Sequence, residues 1–136
     1  MNGNSLSTLD PYIFSTLKSL FSLNLSSNKL TSLDTSLFNA LTNVHTLFLD
    51  NNQLTRIEPL TFSRMTNLAF PHLNNNNLIS IDRLSFLGLT NLEVVYMANN
   101  PISSMQPLIA PQLCLTNPKC FICVYASCNR KKLLNI

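Results

Sequence analysis

The side chains with the most varied chemistry are four cysteines near the C-terminal end of the chain, Cys114, Cys120, Cys123 and Cys128. They follow the spacing C-x5-C-x2-C-x4-C. Three interpretations are open: disulfides, which four cysteines can form in three pairings, a zinc site with four thiolate ligands, or buried free thiols in a reducing compartment. The gaps around the single C-x2-C do not match common zinc modules, so we predict no metal site.

Histidine chemistry is limited to His45 and His72. No pair of carboxylates, phosphate-binding glycine loop or nucleophile elbow accompanies them in the sequence. A cysteine–histidine nucleophile pair would require the C-terminal tail to fold back onto the middle of the chain. We therefore predict that the protein is not an enzyme and that it uses no cofactor.

The composition indicates what class of protein chain carries these side chains. Of 136 residues, 46% are hydrophobic and 11% are charged, which fits one folded domain and excludes a disordered chain. No apolar run is long enough to span a bilayer, so no segment is predicted to insert into a membrane. The net charge of +3 equals the contribution of Arg130, Lys131 and Lys132 alone, which argues against a nucleic-acid-binding surface.

Leucine and asparagine are unusually abundant and recur at fixed positions. An internal repeat is defined by evenly spaced asparagines, Asn4, Asn28, Asn52, Asn76 and Asn100. A phenylalanine follows at a constant distance after each of the first four, at Phe14, Phe38, Phe62 and Phe86. The fold is therefore predicted to repeat every 24 residues, the interval that separates Asn28 from Asn52.

The unit Leu20 to Asn43 resembles the leucine-rich repeat, L-x-x-L-x-L-x-x-N-x-L, in its typical 24-residue form. The resemblance extends from residue 4 to about residue 109. It implies a curved α/β solenoid with short parallel strands on the concave face and an irregular, 3₁₀ or short helical convex side. The predicted organisation is a partial N-terminal repeat without its cap (1–19), leucine-rich repeats over 20–109 (20–43, 44–67, 68–91 and a degenerate 92–109), and a cysteine-containing C-terminal cap or tail (110–136).

The alternation L-x-L, as in Leu23 and Leu25, predicts a strand whose leucines point inward. The ladder asparagines are predicted to satisfy backbone groups where each strand ends, and so to be scaffold residues. The four phenylalanines are predicted to stack edge to edge inside the convex side. Pro71 occupies an inward strand position, where it removes a ladder donor, so either the sheet kinks there or that unit is weakened.

The outward strand positions form columns across the concave sheet. The middle column is Asn24, Phe48, His72 and Tyr96, flanked by Ser22, Thr46, Phe70 and Val94 and by Ser26, Asp50, Asn74 and Ala98. Exposed aromatic rings at such positions favour protein binding, although a neighbouring segment that covers them is an alternative. We predict a ligand-binding surface formed by Phe48, Phe70, His72, Tyr96, Asp50, Asn74, Thr46 and Val94.

The two ends of the chain bear on its location. No signal peptide and no cysteine-bearing cap precede Asn4, so we predict an incomplete chain or another element that covers Leu6, Leu9 and Leu20. The resemblance implies a disulfide-stapled C-terminal cap, with Cys114, Cys120, Cys123 and Cys128 as the candidates. The family's cap usually opens N-P-x-x-C-x-C with a tryptophan downstream, whereas here Asn117-Pro118-Lys119-Cys120 comes one unit late and tryptophan is absent.

By resemblance, repeats of this type are mostly extracellular in animals, and Asn24-Leu25-Ser26 makes Asn24 a glycosylation candidate. We predict a non-catalytic protein-binding module of a secreted or cell-surface receptor or adhesion ectodomain, which binds a protein ligand on the concave sheet. The alternative is an intracellular leucine-rich repeat scaffold or regulatory subunit in the cytoplasm. The identity of the ligand and the oligomeric state stay open.

Overall fold

The computed structural model describes residues 1–82, 84–102 and 121–123, the last as a strand backbone. In these residues five short strands form one parallel sheet, in which each strand pairs with the next along the chain. The strands are β1 (Ser22–Asn24), β2 (Thr46–Phe48), β3 (Phe70–His72), β4 (Val94–Tyr96) and β5 (Phe121–Cys123). The strand order equals the chain order, which confirms the predicted leucine-rich repeat solenoid.

The register of the sheet follows the repeat period through β4. Leu23 pairs with Leu47, and Leu47 pairs with Pro71. The pairing of Val95 with Ile122 extends the sheet to β5 after an interval longer than the period. The sequence does not predict β5, because its spacing departs from the period and it lies in the region assigned to a cap or tail.

Pro71 leaves β3 continuous. The Phe70 N–H donates to the His45 carbonyl on one side (3.1 Å), and the Leu73 N–H donates to the Tyr96 carbonyl on the other (2.7 Å). Backbone N–H groups alternate in direction along a strand, so the nitrogen of residue 71 faces β4. Proline has no hydrogen on this nitrogen and cannot donate a hydrogen bond to β4. The register between β3 and β4 is accordingly the single pair His72 and Tyr96, whereas β2 and β3 share three pairs. The proline therefore weakens one side of this unit.

The return segments of the repeats are turns, in residues 11–16, 35–40, 59–64 and 84–88. Three of these segments follow an aspartate whose Oδ1 accepts the N–H two positions later. Asp34 accepts the Ser36 N–H at 2.7 Å, and Asp10 and Asp82 make the equivalent bonds. The hydrogen bond from the Ser36 backbone, with a second from its side chain, lowers the pKa of Asp34. These aspartates start the irregular convex side.

The four repeat phenylalanines lie fully buried under the convex side, with exposures of 2% or less at Phe14, Phe38, Phe62 and Phe86. Phe62 lies between the rings of Phe38 and Phe86, at centroid distances of 5.8 and 5.6 Å and interplanar angles of 28° and 25°. The prediction of edge-to-edge packing is therefore wrong. Equivalent residues of stacked repeats are related by a near-translation, so the rings lie face over face.

Each ladder asparagine from Asn28 onward joins two repeats. Asn52 Nδ2 contacts the carbonyls of Leu25 (3.0 Å), Leu49 (3.0 Å) and Asp50 (3.3 Å), and its Oδ1 accepts the Leu30 N–H (3.1 Å). The side chain thus satisfies backbone groups of its own repeat and of the repeat before it. Equivalent contacts are made by Asn28, Asn76 and Asn100.

Asn4 departs from this pattern. Its side chain is exposed, and its Nδ2 donates to the nearby Asn2 carbonyl at 3.3 Å. In the other repeats the ladder partners lie 22 and 27 positions earlier in the chain. The place of Asn4 in the ladder therefore stays a prediction.

The residue before each ladder asparagine adopts the left-handed conformation. The φ angles are 55° at Ser27 and Asn51, 54° at Asn75 and 57° at Asn99. Asparagine tolerates this region better than other non-glycine residues. This explains the repeated Asn-Asn pairs, in which the first asparagine makes the turn and the second makes the ladder.

Candidate protein-binding face

The centre of the concave sheet carries a continuous stack of three rings, which we name the ring column: Phe48, His72 and Tyr96. The imidazole of His72 lies 4.6 Å from the ring of Phe48 and 4.4 Å from that of Tyr96, with interplanar angles of 27° and 16°. Each ring comes from the last residue of its strand, and each is half-buried. The parallel register therefore places three successive outward side chains in one row.

A second stack lies beside the first, where the strands begin. Phe21 stacks on His45 at 5.1 Å with the planes 8° apart, and His45 contacts the tilted ring of Phe70 at 5.1 Å. Neither His45 nor Phe21 is predicted from the sequence to lie on the binding face, because both precede the strands and lie outside the strict alternation. The signal that could have found them is that they are one repeat period apart.

Polar side chains border the ring column on its other flank. Asp50 Oδ1 accepts the backbone N–H of Asn74 at 3.1 Å and contacts its Nδ2 at 2.9 Å. The Asn74 Oδ1 in turn accepts the Ala98 N–H at 2.8 Å. In β1, Asn24 Oδ1 accepts the N–H and the hydroxyl of Ser26 at 2.9 and 2.7 Å. Hydrogen bonds to neighbouring repeats therefore hold Asp50 and Asn74 in place.

Two of the outward positions are not solvent-facing. Val94 and Ala98 are each only 7% exposed, so the prediction that they face solvent, and that Val94 offers a ligand contact, is wrong. The strand β5 pairs with β4 at Val94, which places further backbone on that side. At the opposite edge of the described sheet, Ser22 of β1 has a neighbouring strand on one side and is exposed. Burial of an outward residue thus depends on its neighbours.

The position of His72 in the ring column determines its protonation. Burial between the two rings lowers the pKa of His72, and the negative charge of Asp50 opposes this shift in part. The lowered pKa favours the neutral imidazole at pH 7, which presents a flat apolar face to both rings. Thr46 lies half-buried beside this site, where its hydroxyl is 3.4 Å from His45 Nδ1.

The cysteines predicted for disulfides fall mostly outside the described residues. Cys114, Cys120 and Cys128 lie there, and Cys123 contributes the last backbone position of β5. Within the described part of the chain, no group of His, Cys, Asp and Glu side chains is arranged to hold a metal ion. The same residues contain no helix with the length and apolar character needed to cross a membrane.

Comparison with protein families identifies the class. A model described as leucine rich repeat matches residues 1–54 and 22–70, and a model described as two copies of leucine rich repeats matches residues 72–110. The chain belongs to the leucine-rich repeat family. No curated protein matches this chain in sequence.

Three solved structures share the geometry of this solenoid. A chain of the Drosophila Toll–Spatzle complex is 36% identical over 81% of this chain, with a TM-score of 0.73. A chain of the glycosylated form of that complex is 31% identical over 90%, with a TM-score of 0.79. A chain of the Drosophila melanogaster SNF/U2A′ complex is 26% identical over 96%, with a TM-score of 0.73. This chain spans 15%, 17% and 74% of those chains, respectively.

Proposed function

We propose that this chain is a non-catalytic protein-binding module whose ligand sits on the ring column of the concave sheet. The observation that carries the proposal is the row of stacked, half-buried rings at Phe48, His72 and Tyr96. Aromatic residues supply much of the energy of protein interfaces. Rings that already pack against one another lose little conformational freedom when a ligand arrives, which favours affinity.

The polar flank gives this surface its specificity. The side chains of Asp50 and Asn74 are held by hydrogen bonds between repeats, so their remaining oxygen lone pairs have fixed positions. A ligand that cannot donate hydrogen bonds there would leave these groups without partners, which is costly. The similar structures, solved as complexes named for Toll with Spatzle and for SNF with U2A′, support a protein as the ligand.

We place the module in a secreted or cell-surface receptor or adhesion ectodomain. The likeness to the chain of the glycosylated Toll–Spatzle complex supports this location. Asn24, the glycosylation candidate, lies on the edge strand β1 and bonds to Ser26 through its Oδ1. The intact mass of protein from its native source, alkylated before and after reduction, tests the location. Four protected thiols support it, and four thiols that react at once contradict it.

The second candidate function is a scaffold or regulatory subunit inside the cell. It is favoured by the match to the SNF/U2A′ complex, because this chain spans 74% of that chain and only 15% of the Toll-complex chain. Both candidates use the concave face in the same way. The thiol measurement therefore separates them without affecting the proposed binding surface.

Photo-crosslinking tests the binding surface directly. A photoreactive phenylalanine analogue is placed at Phe48 and, as a control, at Ile79, which is 59% exposed and outside the ring column. We expect a crosslinked protein at position 48, lost in a Tyr96→Ala background whose circular dichroism is unchanged. Equal crosslinking at both positions, or crosslinking at position 79 alone, would contradict the proposed surface.

A further inference from the structure

A groove of about 510 Å³ crosses the repeats beside the sheet, where the strands begin. One wall of the groove is a row of three asparagines from successive repeats, which we name the amide row: Asn43, Asn67 and Asn91. The groove is separate from the ring column, whose residues come from the other ends of the strands. Its volume lies within the range of small ligand sites.

The amide row is held in place by its own hydrogen bonds. Asn67 Nδ2 contacts Asn43 Oδ1 and Asn91 Nδ2 contacts Asn67 Oδ1, both at 3.3 Å. The ends are anchored by Asn43 Nδ2 on the Lys18 carbonyl (2.8 Å) and Asn91 Nδ2 on the Thr66 carbonyl (2.9 Å). A primary amide has two donors and two acceptor lone pairs. Asn67 therefore retains one donor and one acceptor, the complement of a peptide group.

The side of the groove that faces the amide row is formed by Phe21, His45, Ala69 and Glu93, one from each successive repeat. It changes from aromatic to charged along its length. Phe21 is 65% exposed and lies flat on His45, which makes a ring platform at one end. Ala69, which is only 1% exposed, follows in the floor of the groove. Glu93 places an exposed carboxylate at the far end. The groove is therefore apolar at one end and negatively charged at the other.

We infer that this groove binds an extended segment of the protein ligand, with a planar apolar side chain on Phe21 and a lysine or arginine side chain at Glu93. The inference rests on the proposed function and adds a second contact for the same ligand. Neighbouring strands are about 4.8 Å apart, so Phe21 and Glu93 are separated by about 14 Å. An extended chain rises about 3.3 Å per residue, so the two side chains of the ligand are about four residues apart.

The charges around the groove set the direction of the segment. The residues that line the ring end are Ser19, Phe21 and His45, none of which carries a carboxylate, whereas Glu93 lines the far end. A basic side chain of the ligand therefore finds its opposite charge only at the far end of the lining. The cationic side chain of the ligand therefore points toward β4.

Titration of ¹⁵N-labelled protein with a synthetic peptide tests the inference. The peptide carries one tryptophan and one arginine about four positions apart in a glycine–serine background. We expect shifts at the side-chain amides of the amide row and at the Ala69 N–H. Glu93→Gln should weaken binding about threefold, as for a surface ion pair. The same change at Glu58, which pairs with Arg56 away from the groove, should leave binding unchanged.

A charge reversal makes the test stricter. A peptide with glutamate in place of arginine should bind the native protein weakly and should bind Glu93→Arg as tightly as the arginine peptide binds the native chain. Ala69→Leu should abolish the shifts of the amide row, because the added side chain fills the floor. Because Ala69 is only 1% exposed, the result counts only if the circular dichroism of the variant matches that of the native protein.

Several results would overturn the inference. These are equal effects of Glu93→Gln and Glu58→Gln, shifts confined to the ring column, the same shifts with a neutral oligosaccharide such as maltohexaose, or the same shifts on concentrating the protein alone. A crosslink at position 48 without peptide binding in the groove would refute this inference and leave the proposed function standing. Peptide binding in the groove without that crosslink would refute the proposed surface.

Discussion

The imidazole of His72 stacks on the ring of Tyr96 with 4.4 Å between the centroids and 16° between the planes. Both residues end their strands, and their pairing is the register between β3 and β4. In the unit where Pro71 removes a ladder hydrogen bond, the sheet is thus also held by contact between side chains. The stack links the packing of this unit to the surface proposed for the ligand.

Protonation of His72 should destabilise the fold. Burial lowers its pKa in the folded state below the ordinary value of 6.5, so between the two pKa values the unfolded state binds more protons. Its contribution to stability is therefore complete above about pH 6.5 and is lost as the pH falls through the folded pKa. We expect the melting temperature to fall in this window, and His72→Gln to reduce that fall.

The control for this prediction is His45→Gln, which leaves the contacts of His72 with Phe48 and Tyr96 in place. The pH dependence assigned to His72 should persist in that variant. If His72→Gln and the native protein lose stability in parallel as the pH falls below neutral, the assignment to His72 is incorrect.

Replacement of Asn52 by alanine should lower the free energy of unfolding by about 1–3 kcal/mol. The change leaves the Leu25 and Leu49 carbonyls and the Leu30 N–H without their side-chain partner inside the core. Urea denaturation measures the effect. Asn4→Ala is the matched control and should be neutral, because Asn4 is exposed and bonds only within its own turn.

Removal of the Phe62 ring should be among the most destabilising changes in the solenoid. Phe62 is fully buried between Phe38 and Phe86, so Phe62→Ala leaves a cavity that neighbouring repeats share and should cost about 3–5 kcal/mol. The same substitution at Phe21, which is 65% exposed and stacks only on His45 among the ring contacts, should cost no more than about 1.5 kcal/mol. Similar costs at the two positions would refute the role of the stacked phenylalanines.

The left-handed turn before each ladder asparagine predicts a stabilising substitution. Ser27 has a φ of 55° at the position where the later repeats have asparagine. Ser27→Asn should raise the free energy of unfolding by about 0.5–1 kcal/mol, whereas the β-branched Ser27→Val should lower it by about 1–2 kcal/mol. Thermal denaturation of the two variants should therefore shift in opposite directions from the native midpoint. If both midpoints shift in the same direction, the left-handed conformation does not explain why asparagine occurs at this position in the later repeats.

The fold class followed from the sequence because a single repeat period brings equivalent positions into register. Leu23, Leu47 and Val95 form one buried column, and their strands pair as the period requires. The strand β5 could not be found in this way, because the interval from Val95 to Ile122 breaks the period.

Only part of the candidate site could be predicted from the repeat period and the alternation of the strands. Alternation identified Phe48, His72 and Tyr96 as neighbours in one column, although it could not give the angles between their rings. It failed at Val94, whose exposure depends on the strand beyond it. His45 lies just before its strand, so only the structure brought it onto Phe21 and Phe70.

The sequence by itself determined the repeat, the strand order and the columns of equivalent residues, because a solenoid is built from contacts between nearest neighbours along the chain. The tertiary structure alone decided which outward residues are covered, how the rings stack and how His72 is protonated. These properties depend on the distances and angles between side chains of adjacent repeats. A periodic pattern shows which residues are neighbours, whereas their burial and their pKa depend on how closely those neighbours pack.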